Sequence, residues 1–396
     1  MIIDMEKTVF HNHLCNDLIP FWNKMKDNEN GGFYGYADQN GIADKNSVKG
    51  VILNSRILWF YSEAYQLLKE SELLEMANHA YDFLADYCFD SRYGGVFWSV
   101  NADGSPYDDT KHTYNQAFTI YALSAYYQAS GRKNALNLAY SLYHTIEDKC
   151  RDADGYLEAF NREFSPVSND KLSENGVMAE RTMNTLLHVL EAYTELYKAD
   201  SFSEVGNSIK EIMRLFKEKV YNYDKKICDV FFDRNYNSLI DLESYGHDIE
   251  ASWLIDRGCS VLGDADCHNE MLPIINGLAE GAYLNGIDTK YHSMNNECEN
   301  GNINRTKVWW VQAESVTGFY NAYQNNPQKT EYLHIAEQVW EYITENVIDK
   351  NSGEWFENIE ADNTVKSDQA LVHAWKCPYH NGRMCIEMIK RLSATS

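Results

Sequence analysis

Basic charge is in short supply: 35 Lys and Arg residues face 59 Asp and Glu, for a formal net charge of −24. A surplus of that size repels phosphate backbones and anionic lipid, so neither nucleic acid nor a membrane surface is an expected partner. No stretch approaches the ~18 uncharged apolar residues that a membrane span requires. The opening Met1-Ile2-Ile3-Asp4-Met5-Glu6-Lys7 lacks the basic segment and apolar run of a secretion signal. Nine cysteines, an odd number with no Cys-x-x-Cys pair, argue for reduced thiols in a cytoplasm over a disulfide framework. Glycine-rich phosphate loops, dinucleotide fingerprints and Gly-x-Ser-x-Gly elbows are missing, so nucleotide and serine-nucleophile chemistry is not indicated. Proline is limited to six residues, and no low-complexity linker divides the chain.

What the chain does have is a repeat. Six largely apolar stretches, Val51–Lys69, Thr113–Gly131, Arg181–Ala199, Gly246–Gly263, Val308–Asn325 and Pro378–Leu392, read as helices that each carry polar residues where Leu or Ala is usual. Six conventional amphipathic helices fall between them, at about Met5–Asp27, Glu72–Asp90, Lys133–Lys149, Ser203–Asn222, Ala265–Leu284 and Thr330–Ile348. Leaving a polar-bearing helix takes a few residues. Entering one takes roughly 20 to 30, far beyond the usual helix connection, through Gly-aromatic strand pieces such as Gly31-Gly32-Phe33-Tyr34-Gly35-Tyr36. A length of 396 residues alone suggests two or more domains. Six helix hairpins instead predict one all-α domain over 1–396, an (α/α)6 barrel with short β-hairpin loops gathered at the pocket end. The dipoles of the inner helices would point their positive ends at that space.

The polar residues on the inner helices are chemically specific. In Ser244-Tyr245-Gly246-His247-Asp248-Ile249-Glu250, His247 begins a helix and Glu250 shares its face, as an oriented acid/base pair would. A helix-start histidine with a capping partner is the plainer alternative. Asn184 and His188 stand at i and i+4, as do Trp310 and Glu314, where Trp can stack on a sugar ring and Glu can accept its hydroxyls. Pro378 suits a first helical turn and places His380 at an inner-helix start. Arg56, a cation in an apolar helix, requires an anionic or oxyanionic partner. Tyr114 and Asn115 complete the ring. Core packing explains any one of these, but not all of them at corresponding places in the repeat. His188, His247, His380 and Glu250 are possible metal ligands. However, there is no His-Glu-x-x-His, and His-x-x-Glu reverses the Glu-x-x-His order of di-iron bundles, so no metal is expected.

These runs resemble the N-acylglucosamine 2-epimerase superfamily, and within it the cellobiose 2-epimerase branch. The likeness includes Ile19-Pro20-Phe21-Trp22, Gly50–Tyr61, Tyr114-Asn115-Gln116-Ala117-Phe118, Tyr245-Gly246-His247-Asp248-Ile249-Glu250 and Trp375-Lys376-Cys377-Pro378-Tyr379-His380-Asn381-Gly382-Arg383. The resemblance implies cofactor-free inversion at C2 of the reducing-end sugar of a β-1,4-linked disaccharide: cellobiose to glucosylmannose, with lactose and mannobiose plausible. It makes His247 and His380 the acid/base pair on opposite faces of an enediolate, with Glu250 orienting His247. Arg56 and His188 would stabilise the enediolate, Asn184 and Tyr114 would hold hydroxyls, and Trp310 and Trp375 would pack the sugars. The expected partner is a small-molecule disaccharide, bound by a monomer or weak homodimer. One departure stands out: many relatives read Met-Asn-Thr-His-Leu-His where this chain has Leu186. Three other readings remain: an aldose–ketose isomerase or N-acylglucosamine 2-epimerase of the same superfamily, a glycoside hydrolase using Glu250 and Glu314, and a non-catalytic sugar-binding protein.

Overall fold

A helix that is apolar on every side must be surrounded, and six such helices can surround one another only as a ring. In the computed structural model, which describes residues 5–394 except 174 and 367, they do so. The inner helices are α3 (Val51–Leu68), α5 (Thr113–Ser130), α7 (Met183–Asp200), α9 (Tyr245–Leu262), α11 (Trp309–Asn325) and α13 (His380–Ala394). Val51 through Ala64 of α3 and Thr113 through Tyr126 of α5 are buried without a break. Each inner helix packs on the next, and α13 returns to α3 to close the circle.

The outer layer consists of α1 (Lys7–His13) continued by α2 (Ile19–Asn23), then α4 (Ser71–Phe83), α6 (Lys133–Thr145), α8 (Ser203–Leu215), α10 (Ala265–Gly281) and α12 (Thr330–Tyr342). Each pairs with the inner helix before it, and α1 pairs with α13, so the (α/α)6 barrel is sealed by the two ends of the chain. Four of the five short turns between partners use a left-handed residue after the inner helix: Lys69, Gly131, Ser201 and Gly263.

Periodicity did not disclose two features. Every outer helix opens into a five-residue π turn, as at Leu84–Cys88, Ile146–Cys150 and Phe216–Val220. Beyond it, the long connections are fastened by a recurring buried ion pair. A cation just ahead of an inner helix reaches a carboxylate at the start of the connection: Lys49–Asp27 at 2.7 Å, Lys111–Asp90 at 3.1 Å, Arg181–Asp152 at 2.6 Å, Lys307–Asp288 at 2.9 Å and Lys376–Glu354 at 3.2 Å. Short strands such as Lys49–Gly50, Lys111–His112, Leu242–Ser244 and Lys307–Val308 lead into the inner helices. All of this fixes the loop layer over the N-terminal ends of α3 to α13. Among the described residues no helix is long and apolar enough to cross a membrane.

Candidate active site

The six N-terminal ends surround a cavity of about 330 Å³, within the range of small-ligand sites. Its walls include Arg56, Tyr114, Asn184, His188, His247, Glu250, Trp310, Trp375 and His380. Glu314 lies directly behind this wall, buried. Asn115 does not reach the cavity; its amide donates 2.7 Å to the Phe97 carbonyl and holds a loop. Helix α13 begins at His380, two residues past Pro378, with the Arg383 amide bonded to the Tyr379 carbonyl at 2.7 Å.

The indole of Trp310 touches both His247 and His380, with ring centroids 4.7 Å from the first and 5.4 Å from the second. It can stand there because Gly246 has no side chain: a Cβ would fall 2.7 Å from the Trp310 ring. The two imidazoles are held by different devices. His380 Nδ1 lies 2.7 Å from Glu314 Oε1, and His247 Nδ1 lies 2.7 Å from the Ser244 hydroxyl. In each case Nε2 is left for a ligand. His188 Nδ1 meets Glu191 Oε2 at 2.8 Å.

Two partner assignments made from spacing are therefore corrected. Glu250 does not orient His247. One of its oxygens is bonded to Arg383, and the other is buried with no partner among the described residues. Glu314 does not present itself to sugar hydroxyls. It accepts from Trp253 Nε1 at 3.0 Å and Arg383 Nη2 at 2.7 Å, and it orients His380. Asn184 lines the cavity, and its buried amide oxygen has no partner among the described residues.

Sequence spacing points to no role for Arg383, which the fold makes central. Its guanidinium, 1 % exposed, contacts Glu191, Glu250, Glu314 and the Tyr379 hydroxyl. Thus the carboxylates behind His188 and His380 share one cation. Glu250, Glu314 and His380 also place one donor atom each within 4.8 Å of one another, as metal ligands would. Arg383 Nη2 already lies on both carboxylates, so the donor set suits a guanidinium rather than a metal ion.

Arg56 is different. Its head sits 4.1 Å from the Phe118 ring centre and 4.6 Å from that of Tyr379, and it donates 2.8 Å to the Tyr114 hydroxyl. Its Nε has no partner. Among the described residues no carboxylate forms an ion pair with it, so its charge faces the cavity uncompensated. The rim adds residues that sequence reasoning passed over: His373, bonded to Glu357 at 3.0 Å, and Asn296. The departure at Leu186 has no effect on the wall, because Leu186 packs into the hydrophobic core.

Burial sets the protonation states. It lowers His247 to about 3, with nearby His188 acting in the same direction. Burial, then Arg383 and Arg56, hold His380 well below the ordinary histidine range. Glu250 is raised, by burial and then by Glu314. The resting site therefore has two neutral imidazoles and a carboxyl biased towards its acid form.

The profile of the family described as N-acylglucosamine 2-epimerase matches residues 32–381. The chain belongs to that family. It is 50% identical over 403 residues to a cellobiose 2-epimerase of Eubacterium cellulosolvens, covering 98% of each. A solved sugar epimerase from a ruminal bacterium superposes with a TM-score of 0.95 at 48% identity, over 98% of this chain and 99% of the other. The cellobiose 2-epimerase of Bacillus thermoamylovorans gives 0.94 at 43% identity, over 97% and 99%. This N-acylglucosamine 2-epimerase family member is a carbohydrate epimerase, an isomerase.

The protonation states also predict a pH profile. A base must be neutral to act, and a lowered pKa keeps it neutral to lower pH. The acid limb of kcat/KM, which reports the free enzyme, is therefore expected below the ~6.5 of an unperturbed histidine. An acid limb at 6.5 in initial-rate data would contradict it.

Proposed function

We propose that this epimerase inverts C2 of the reducing-end sugar of β-1,4-linked disaccharides, taking cellobiose to 4-O-β-glucosylmannose, without a cofactor. Lactose and mannobiose fit the same description. The observation that carries the reading is the pair of cavity-lining histidines that both contact Trp310, each with Nδ1 already bonded.

The reaction runs in steps that balance. Ring opening passes the O1 hydroxyl proton to one histidine, while the Glu250 carboxyl protonates the ring oxygen. The aldehyde at C1 then acidifies C2, and the other histidine removes the C2 proton, leaving a planar enediolate. Arg56, with no carboxylate to compete for it, and His188 stabilise that anion where charge develops. The first histidine, now an imidazolium, returns a proton to the opposite face of C2. Ring closure restores Glu250 and the second histidine. Which histidine acts first depends on the direction of reaction. Trp310 and Trp375 pack the sugar faces, and Asn184 and Tyr114 hold hydroxyls.

The test is proton NMR of EDTA-treated protein with cellobiose in D₂O. Deuterium at C2 together with glucosylmannose is the expected result. A ketose product would select the isomerase, free glucose the hydrolase, and no reaction would remove cellobiose as a substrate and point to N-acylhexosamines.

A further inference from the structure

We propose that Met213, Cys259 and Cys267 form a three-sulfur site for a soft monovalent cation, Cu(I) or Ag(I), at the short-turn end of the barrel, away from the pocket. The three residues come from different helices, Met213 from α8, Cys259 from the last turns of α9 and Cys267 from the first turn of α10. Sequence spacing cannot show this, because the two cysteines flank a helix turn and the methionine lies over 40 residues earlier.

The geometry is that of a ligand set. Cys259 Sγ lies 3.8 Å and Cys267 Sγ 3.4 Å from the same Met213 Sδ. The two thiols are also near enough to influence each other electrostatically. An ion about 2.3 Å from each of three sulfurs would hold them ~4 Å apart, so the two Met213 contacts need to open by only a few tenths of an ångström. The neighbourhood keeps the sulfurs in place. Gly258 leaves room for Met213: a Cβ there would stand 2.8 Å from its terminal methyl. Asp264 accepts from the Cys267 amide at 3.1 Å and fixes the first turn of α10.

Chemistry selects the ion. A thioether beside two thiols favours Cu(I) over zinc and over oxygen-seeking cations. Cys259 is buried, whereas Cys267 is partly exposed and supplies the way in. Binding displaces the two thiol protons and leaves a bis-thiolate complex of charge −1. Lys210, which pairs with Asp264 at 2.5 Å, is the nearby cation that offsets it, and the amides at the start of α10 also favour a thiolate at Cys267.

The full-length protein, kept anaerobic and reduced, would be titrated with Cu(I) against bicinchoninate, alongside Cys267→Ser and Met213→Leu. The wild type is expected to take one equivalent more tightly than its remaining thiols do, without loss of epimerase activity. Cys267→Ser should lose that equivalent, and Met213→Leu should weaken it by about 10–100-fold. Far-UV circular dichroism and unchanged turnover would establish that both variants are folded. Retention of the tight equivalent in Cys267→Ser, or unaltered affinity in Met213→Leu, would overturn the site. So would loss of turnover at one equivalent, which would place the ion on the pocket histidines.

Discussion

Replacing either His247 or His380 with Asn is expected to lower kcat by at least ~10²–10⁴, the usual contribution of general acid–base catalysis. The two variants should nevertheless fail differently. With one face of the enediolate lacking its base, the other histidine can still remove and return a proton on its own side. In D₂O, one variant should therefore wash deuterium into the gluco substrate without inverting it, and the other into the manno epimer. This pattern separates proton transfer from a structural role, because a misfolded pocket would lose exchange with both epimers together. Equal residual exchange with both epimers in each variant would sink the two-base reading.

Arg383→Met is expected to have the largest effect on stability. It leaves Glu191, Glu250 and Glu314 without the cation they share, and breaking a buried ion pair by removing one partner costs about 3–5 kcal/mol. Adding Glu191→Gln should restore part of that loss, since Glu191 is the carboxylate that Arg383 holds ionised. The sign of the pH dependence follows from Glu191. Burial pushes its carboxyl up, but Arg383 and His188 outweigh burial and hold it well below the usual range. A depressed folded pKa contributes stability above the unfolded value of ~4.3, which is lost as pH falls towards the folded value. Denaturant titrations should show that acid loss in the wild type and a smaller one in Arg383→Met. A variant within 1 kcal/mol of wild type would refute the shared-cation account.

The helices were legible because their periodicities differ: an inner helix is apolar on all sides, an outer one on one. The cavity wall was legible for a related reason, since polar residues on an all-apolar helix have nowhere to go but a central space. The connections among those residues were not. Spacing offers a residue only the neighbours three or four positions away on its own helix, which is why Glu250 was paired with His247. The actual partner of His380 is 66 residues distant, on the adjoining helix, and Glu250 meets Arg383 across 133 residues. The repeated cation–carboxylate staples were hidden for the same reason: each lies within a long connection whose fold no period describes. Asn115 illustrates the opposite error. It occupies the right place in the repeat, but its amide turns to a loop carbonyl.

The aromatic seat of Arg56 has a consequence for what else the pocket attracts. Rings attract a guanidinium through their faces but cannot neutralise it, so a chain of net charge −24 keeps one unspent positive charge at the base of its cavity. Small anions should therefore compete with sugar for the resting enzyme, and an open-chain sugar acid bearing a carboxylate where the enediolate develops should bind more tightly than the substrate it imitates. For the same reason the buffer anion belongs among the variables of any kinetic study of this protein.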